Sequence, residues 1–214
     1  MDTRLMLSYV IGGILFPFRA KTSAFLRKNI NKEDIVLDIG AHIGIHTIHL
    51  AKIAKFVYAI EPEPNNLKLL IKNISANNVE KKVSILPYAI SSIDGLVNFY
   101  VNSESTGAHH ILFNNEGSMD YKTILKVKAY TLDTLLLNIL GLTRIDVVKI
   151  DVEGHELEVI KGAQKLFQHN PPRIIIVETR KDSELLRILT EKYNYKLIST
   201  LDCWDATCNY ALTL

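Results

Sequence analysis

The segment from residue 35 to residue 47, Ile-Val-Leu-Asp-Ile-Gly-Ala-His-Ile-Gly-Ile-His-Thr, constrains the fold more than any other part of the sequence. In it, an apolar run ends in an acid, turns through two glycines and continues as a helical pattern. A second apolar run, residues 56–60, ends in Glu61, 23 positions after Asp38. Two such units in succession predict neighbouring parallel strands, with both carboxylates where the strands end.

The two acids indicate a bound ligand, because carboxylates at the ends of apolar strands are costly unless water or a ligand satisfies them. At neighbouring strand ends they can bind the amine and the sugar hydroxyls of a nucleoside cofactor, and we interpret Asp38 and Glu61 as part of an S-adenosylmethionine site. A nicotinamide site is a weaker interpretation, since Gly-x-Gly-x-x-Gly is absent and Asp38 precedes the first glycine of the turn. In the simplest alternative, Gly40 and Gly44 only permit a tight turn and close helix packing.

Five apolar runs are suited to buried strands, and helical patterns separate most of them. This alternation predicts right-handed βαβ units and a mainly parallel sheet. Behind Pro64, apolar residues recur at helical spacing, and two similar stripes follow later in the chain. The predicted strands are residues 35–39, 56–60, 83–86, 145–150 and 174–177, and the helical stripes are Leu67, Leu70, Ile71 and Ile74, then Leu157, Ile160, Ala163 and Phe167, then Leu185, Leu186 and Leu189.

Two segments depart from this repeat. Between the third and fourth predicted strands lies an insertion with two extra strands, and such a long segment is more often a functional loop than a passive connection. A terminal antiparallel pair follows the last helix, around a turn that contains Asp202 and Asp205. The predicted extra strands are residues 97–101 and 126–130, and the terminal pair is residues 196–200 and 210–214.

Composition limits the class of protein. The chain has 214 residues, a formal net charge of +2 and 48% hydrophobic residues, enough for one domain with a real core. This charge gives no basic excess for binding nucleic acid. We predict one domain at residues 31–214, with its insertion at about residues 97–130, behind a helical or apolar lid at residues 1–30. Within the lid, the apolar residues 5–18 are too few to span a bilayer; they either fold onto the domain or contact a membrane surface or a partner.

Cys203 and Cys208 are too few for a disulfide framework and lack further ligands for a metal site. Reduced thiols in a cytoplasmic protein are the expectation, and a local bridge across a hairpin is the alternative. The sequence indicates no particular oligomeric state.

With these elements in place, the chain resembles the FkbM-like family of class I S-adenosylmethionine-dependent methyltransferases from about residue 30 to residue 200. The most specific part of the resemblance is residues 149–162. The matching residues are Val36-Leu37-Asp38-Ile39-Gly40-Ala41-His42-Ile43-Gly44, Ala59-Ile60-Glu61-Pro62, Ala89-Ile90-Ser91 with Gly95, Thr131-Leu132-Asp133, Val148-Lys149-Ile150-Asp151-Val152-Glu153-Gly154-His155-Glu156-Leu157-Glu158, and residues 174–178.

The resemblance implies a doubly wound, seven-stranded, mostly parallel α/β sheet of the Rossmann-like type, with an antiparallel last strand, and methyl transfer usually to a hydroxyl oxygen. It also implies that Asp38, Gly40 and Gly44 surround the methionine half of S-adenosylmethionine, that Glu61 binds its ribose and that residues 87–89 border its adenine. The remaining positions of the predicted cofactor site are Ala41, His42, Thr47, Pro62, Tyr88, Ala89 and Asp151.

A hydroxyl acceptor needs a group that takes or weakens its proton, since a free alcohol is a poor nucleophile. The loop after the fourth strand, where ligands collect in open α/β sheets, offers Asp151 to hold the acceptor or the cofactor amine, and Glu153 and His155 as proton acceptors. His109 and His110, in the insertion, are further candidates for lining the acceptor pocket or serving as base. In the alternative, the acids of the loop only cap the following helix.

Metal ligands are sparse in the sequence. Asp151 and Glu178 end adjacent strands and are placed to share a divalent cation, but no third ligand is apparent, and we do not favour a metal. His42, His46 and His49 follow helical spacing without the glutamate of a zinc-protease motif, so they do not predict zinc.

The sequence therefore predicts a cytoplasmic, single-domain O-methyltransferase whose acceptor, a small hydroxylated molecule or a saccharide, binds under the insertion. An RNA or protein acceptor on the same fold is one alternative, although the near-neutral charge gives RNA no support. A non-catalytic adaptor that keeps the fold is another, and the presence of both Asp38 and Glu61 argues against it.

Overall fold

A computed structural model describes residues 20–101, 110–111 and 123–214 of the chain. Residues 1–19 of the predicted lid, His109 and the side chain of His110 lie outside the described residues, as does most of the predicted acceptor-binding insertion. Within the described ranges, every helix is too short or too polar to traverse a bilayer.

Eleven strands and six α-helices make up the described part of the chain. The strands are β1 (Ile35–Ile39), β2 (Phe56–Ile60), β3 (Val83–Leu86), β4 (Ala89–Ile90), β5 (Gly95–Val101), β6 (His110–Ile111), β7 (Thr123–Tyr130), β8 (Val147–Ile150), β9 (Ile174–Arg180), β10 (Lys196–Trp204) and β11 (Thr207–Thr213). The α-helices are α1 (Ala20–Asn29), α2 (Ile45–Ile53), α3 (Pro64–Ala76), α4 (Glu156–Lys161), α5 (Gln164–His169) and α6 (Glu184–Arg187), and π-helical turns span Thr134–Ile139 and Ile188–Lys192.

Seven strands form the central sheet, in the spatial order β10-β11-β9-β8-β1-β2-β3. Only β11 is antiparallel to its neighbours, β9 and β10. This arrangement confirms the predicted doubly wound, mostly parallel sheet with an antiparallel last strand. The chain order reverses between β1 and β8, and in open α/β sheets a crevice for ligands forms at the carboxyl ends of the strands at such a point.

Alternate residues of the strands face two separate cores. Leu37 and Ile39 pack into the larger core, which α4, α5 and α6 cover. Val36 contributes to the second core, beneath α1, α2 and α3. Asp38 shares the face of Val36, as does Lys149, its register partner on β8, so both charged side chains lie on the α1 to α3 side of the sheet.

The insertion between β3 and β8 forms a second sheet, with the strand order β4-β7-β5-β6. β5 and β7 pair antiparallel from Gly95 opposite Ala129 to Val101 opposite Thr123. The two extra strands therefore lie where the sequence predicts them and extend further. A small separate core supports them.

The helical stripe after β8 falls on two helices, α4 and α5. The break is at Gly162, where a Cβ atom would lie 2.1 Å from the carbonyl oxygen of Ser91, so the backbone of this turn packs directly against the chain after β4. Asp133 then caps α5, because its carboxylate accepts hydrogen bonds of 2.8 and 2.9 Å from two N–H groups in the first turn of that helix.

The hairpin of β10 and β11 is longer than predicted. Asp202 lies in β10 rather than in the turn, and its carboxylate accepts hydrogen bonds from the backbone N–H groups of Lys21 (3.2 Å) and Thr22 (2.8 Å) at the start of α1.

Cys203 and Cys208 are register partners with Cα atoms 4.0 Å apart, and a disulfide bond joins them. The expectation of free thiols is therefore wrong, because the strand register places the two side chains face to face; the alternative, a local bridge, is what the structure contains.

Candidate active site

The turn after β1 depends on contacts that glycine permits. Gly40 has φ +81°, and a Cβ atom there would lie 1.8 Å from the carbonyl oxygen of Asp151. The N–H groups of Gly40 and Ala41 both donate to the carbonyl oxygen of Ile60 at 3.0 Å. Gly44, with φ +93°, leads into α2 and packs closely against α3. The turn is therefore held between the ends of β2 and β8, where the chain order of the sheet reverses.

Behind the turn, Lys149 links two carboxylates. Its Nζ lies 3.1 Å from Oδ2 of Asp151 and 3.5 Å from Oδ1 of Asp38. Asp38 is fully buried, and its Oδ2 accepts a hydrogen bond of 2.6 Å from Oγ1 of Thr47. Such charges are tolerated in the interior because they are paired. Lys149 and Thr47 already contact both carboxylate oxygens of Asp38. Direct contacts of Asp38 and Thr47 with the cofactor therefore stay a prediction.

Glu61 follows β2 and is held by three donors. Its Oε2 accepts a hydrogen bond from the N–H of His42 (2.9 Å), and its Oε1 accepts from the N–H of Glu63 (2.9 Å) and Nδ2 of Asn66 (3.4 Å). Burial raises the pKa of this carboxyl group to about 7, although the three donors act in the opposite direction. Each carboxylate oxygen has two lone pairs, so Oε2 keeps an acceptor position for a hydroxyl of a ligand.

The other predicted cofactor residues lie around the ends of the same strands. Tyr88 follows β3 and packs edge-on against Tyr130, with ring centroids 5.0 Å apart. Ala89 begins β4 and is buried, and Pro62 is half-buried beside Glu61. The structure thus gathers predicted positions from the segments after β1, β2 and β3 at one edge of the sheet.

Glu156, which is not among the predicted site residues, shapes the loop after β8. Its Oε1 accepts hydrogen bonds from the N–H groups of Gly154 (3.0 Å) and Val152 (3.2 Å), and burial raises the pKa of its carboxyl group. Glu153 (φ +54°) and Gly154 (φ +94°) both adopt left-handed backbone. An acid in the first turn of the following helix is the sequence signal for such a reach-back cap.

His155 fastens this loop to the second sheet. The residue is buried, and its Nε2 lies 3.1 Å from Oγ of Ser91, just after β4. Burial lowers the pKa of the imidazole to about 4, so the ring is neutral at pH 7. This placement gives His155 a supporting contact, and its predicted role as a proton acceptor stays a prediction.

Three acids converge beside the same loop. Carboxylate oxygens of Asp151, Glu153 and Glu178 all lie within 4.8 Å of one another. Asp151 is buried and the other two are half-buried. They form the one group of potential metal ligands in the part of the chain that the structure describes. The sequence alone does not indicate this third ligand, because Glu153 is not at a strand end and joins the pair through its left-handed turn.

Two of these acids, Glu153 and Glu178, line an open cleft of about 1060 Å³ between the loop after β8, the segment after β9 and the β10–β11 hairpin. Glu153, Glu178 and Asn209 line the cleft on one side, and Trp204, which is 65% exposed, lines it at the tip of the hairpin. Asn209 and Trp204 are not among the site residues that the sequence predicts. Acidic acceptors beside an exposed aromatic face suit a small molecule that carries hydroxyl groups.

Comparison with known proteins identifies a methyltransferase family. Residues 38–197 match the model of the methyltransferase FkbM domain. The hexuronic acid methyltransferase AglP of Haloferax volcanii is 33% identical over 144 residues, which are 67% of this chain and 55% of that protein. The methyltransferase sdnD of Sordaria araneosa is 26% identical, over 72% of this chain and 70% of that protein. The chain thus spans little more than half the length of the first of these relatives.

Solved structures share the fold. A methyltransferase FkbM from Methylobacillus flagellatus superposes with a TM-score of 0.58 at 17% identity, covering 86% of this chain and 44% of that one. TrmK of M. capricolum, determined with S-adenosylhomocysteine bound, gives a TM-score of 0.55 at 15% identity, covering 90% of this chain and 67% of that one. At these identities the likeness concerns the class I methyltransferase fold.

Proposed function

Because the chain belongs to the FkbM methyltransferase family, we propose that it is an S-adenosylmethionine-dependent O-methyltransferase that acts on a hydroxyl group of a saccharide or a similar small molecule. One observation carries this proposal: a single loop, residues 151–156, packs against the glycine turn through Asp151 and lines the acidic cleft through Glu153. The predicted cofactor site is therefore adjacent to this cleft, where we propose that the acceptor binds instead of under the insertion.

The residues around the glycine turn fit a sulfonium nucleoside. Glu61, oriented by the N–H groups of His42 and Glu63, would bind the ribose hydroxyls, and Gly40 leaves the turn free of a side chain. The carboxylates of Asp38 and Asp151, which Lys149 links, would favour the positively charged methionine half. S-adenosylmethionine would supply the electrophilic methyl group, and the protein would orient the acceptor oxygen in line with it.

The cleft supports a hydroxylated acceptor. Glu153 faces the cleft and is our choice to accept the proton of the acceptor hydroxyl, since His155 is buried and hydrogen bonded to Ser91. Trp204 offers an aromatic face on which a sugar ring can pack. A polynucleotide is disfavoured, because its phosphates would meet the carboxylates of the cleft. The relative whose name specifies a hexuronic acid supports a saccharide acceptor.

Methyl transfer can be tested with labelled S-adenosylmethionine and a panel of neutral and acidic saccharides, read by mass spectrometry. We expect a methylated product that survives mild alkali, which cleaves methyl esters and leaves methyl ethers. The Glu61→Ala variant should bind the cofactor at least about 10-fold more weakly by calorimetry, as expected when a buried hydrogen-bonding carboxylate is removed, whereas Glu80→Ala, at an exposed acid, should bind normally. A wild-type protein without affinity for S-adenosylmethionine would refute the proposal, and alkali-labile label would refute the hydroxyl acceptor.

A further inference from the structure

We propose that Asp151, Glu153, Glu178 and Asn209 bind one divalent cation of the hard, oxygen-preferring class, such as Mg²⁺, at the wall of the cleft. The catalytic use of this ion rests on the proposed function, whereas its binding does not. Carboxylate and amide oxygens are the ligands that such ions prefer.

The spacing of the acids matches one coordination shell. Ligands on opposite sides of an ion are separated by twice the metal–oxygen distance, about 4.0 to 4.2 Å for Mg²⁺ and about 4.6 to 5.2 Å for Ca²⁺, and adjacent ligands are closer. The oxygens of Asp151, Glu153 and Glu178 all lie within 4.8 Å of one another. A shared cation would also relieve the repulsion between carboxylates held this close.

Asn209 provides an independent indication of a ligand. It lies on β11 directly opposite Glu178 on β9, and residues opposite each other in an antiparallel pair project to the same face of the sheet. Asn209 is only 5% exposed, and among the described residues its Oδ1 has no hydrogen-bond partner. A buried amide oxygen without a partner is costly, and a cation bound to the acids would satisfy it.

Three neighbouring strands bring these donors to one level. Ile150 of β8 pairs with Val177 of β9, so Asp151 comes level with Glu178, which in turn pairs with Asn209 of β11. Glu153 joins them from the loop. Lys149 fixes the carboxylate of Asp151 through Oδ2 at 3.1 Å. Three of the four proposed ligands are thus positioned by the sheet itself, which is the rigid part of the fold.

A cation at this place would act on an acceptor that enters the cleft. By coordinating the hydroxyl oxygen it would lower the pKa of that group, so that the proton leaves to solvent or to the carboxylate oxygen of Glu153 that does not bind the ion. The oxygen lone pair then forms the new O–CH3 bond, and the sulfur keeps the electron pair of the broken S–CH3 bond. Together with Arg180 and Lys181, which line the same cleft, the positive charge of the ion would also favour a sugar that carries a carboxylate.

Cation binding can be measured on the full chain without cofactor or acceptor. We would titrate Mn²⁺, detected by the electron paramagnetic resonance of the free ion, and confirm with Mg²⁺ and Ca²⁺ by calorimetry. The wild type should bind one ion, and Glu178→Gln should bind at least 10-fold more weakly. Glu184→Gln, at an exposed acid that lines the same cleft outside the cluster, should leave affinity unchanged.

The Asn209→Asp variant distinguishes loss of a ligand from misfolding. It adds a charged ligand and should therefore tighten cation binding, which misfolding cannot do. The absence of saturable binding by the wild type, or equal weakening by Glu178→Gln and Glu184→Gln, would overturn the site. Binding without methyl transfer to any saccharide would overturn the proposed function and leave the site standing. Full methyl transfer in the presence of a chelator would overturn the catalytic use of the ion and leave the proposed function standing.

Discussion

Replacing Glu61 with Gln should make the folding stability of the protein less dependent on pH. In the native state, burial raises the pKa of this group from 4.5 to about 7. The native state therefore holds the proton more tightly than the unfolded chain, so protonation stabilises the wild type fully below about pH 4.5, and this contribution is lost as the pH rises to about 7. The difference of about 2.5 pH units corresponds to on the order of 3 kcal/mol.

The assay is urea unfolding of the wild type and of Glu61→Gln between pH 4.5 and pH 8. The free energy of unfolding of the wild type, relative to that of the variant, should fall by about 2 to 3 kcal/mol across this range, because all other titrating groups are common to both proteins. The amide of Gln also places a donor against the N–H of His42 or Glu63, but that penalty does not vary with pH. A difference that stays constant with pH would show that Glu61 titrates normally in the native state and would refute the reasoning.

Four further substitutions test other parts of the structure. Gly40→Ala should destabilise the fold by about 3 kcal/mol or more in chemical denaturation and abolish cofactor binding, because the new Cβ meets a backbone oxygen; a stable variant that binds the cofactor would contradict this. Lys149→Met should cost about 3 to 5 kcal/mol, since it leaves buried carboxylates without their cation; a loss below 1 kcal/mol by the same method would count against the pairing. Cys203→Ser should lower stability by about 2 kcal/mol in the absence of reductant, and adding reductant to the wild type should reproduce the loss. Trp204→Ala should raise KM for the saccharide about 10-fold and leave cofactor affinity unchanged, as expected for a lost stacking contact; an unchanged KM would remove Trp204 from the acceptor site.

The strands of the parallel sheet could be predicted because both of their faces are buried, which gives continuous apolar runs. The bounds of β1, β2 and β3 are those predicted. β8 begins at Val147 rather than at Ile145, because the carboxylate of Asp146 accepts a hydrogen bond of 2.9 Å from the N–H of Ile35 and so anchors the entry to the strand. The hydrophobic periodicity of a sequence does not reveal a side chain that forms a hydrogen bond with a neighbouring strand.

The candidate site could be predicted only where local sequence shapes it. The turn at Gly40 lies within one strand–turn–helix unit, so its position follows from nearby residues. Asn209 reaches Glu178 only through the antiparallel register of two strands that are far apart in the chain. A slip of one residue would turn Asn209 to the other face, and no local pattern distinguishes the two registers. Glu153 depends likewise on a left-handed turn that its residue type does not indicate.

The position of β11 determines when the central sheet can be completed during synthesis. This strand follows the other described strands in the chain, yet it lies between β9 and β10 in the sheet. Until it emerges from the ribosome, β9 has an open edge and β10 has no partner, which exposes both to intermolecular pairing. A nascent chain that lacks residues 207–213 would already hold the glycine turn but not Asn209, so the nucleoside half of the site can form before the half that faces the acceptor.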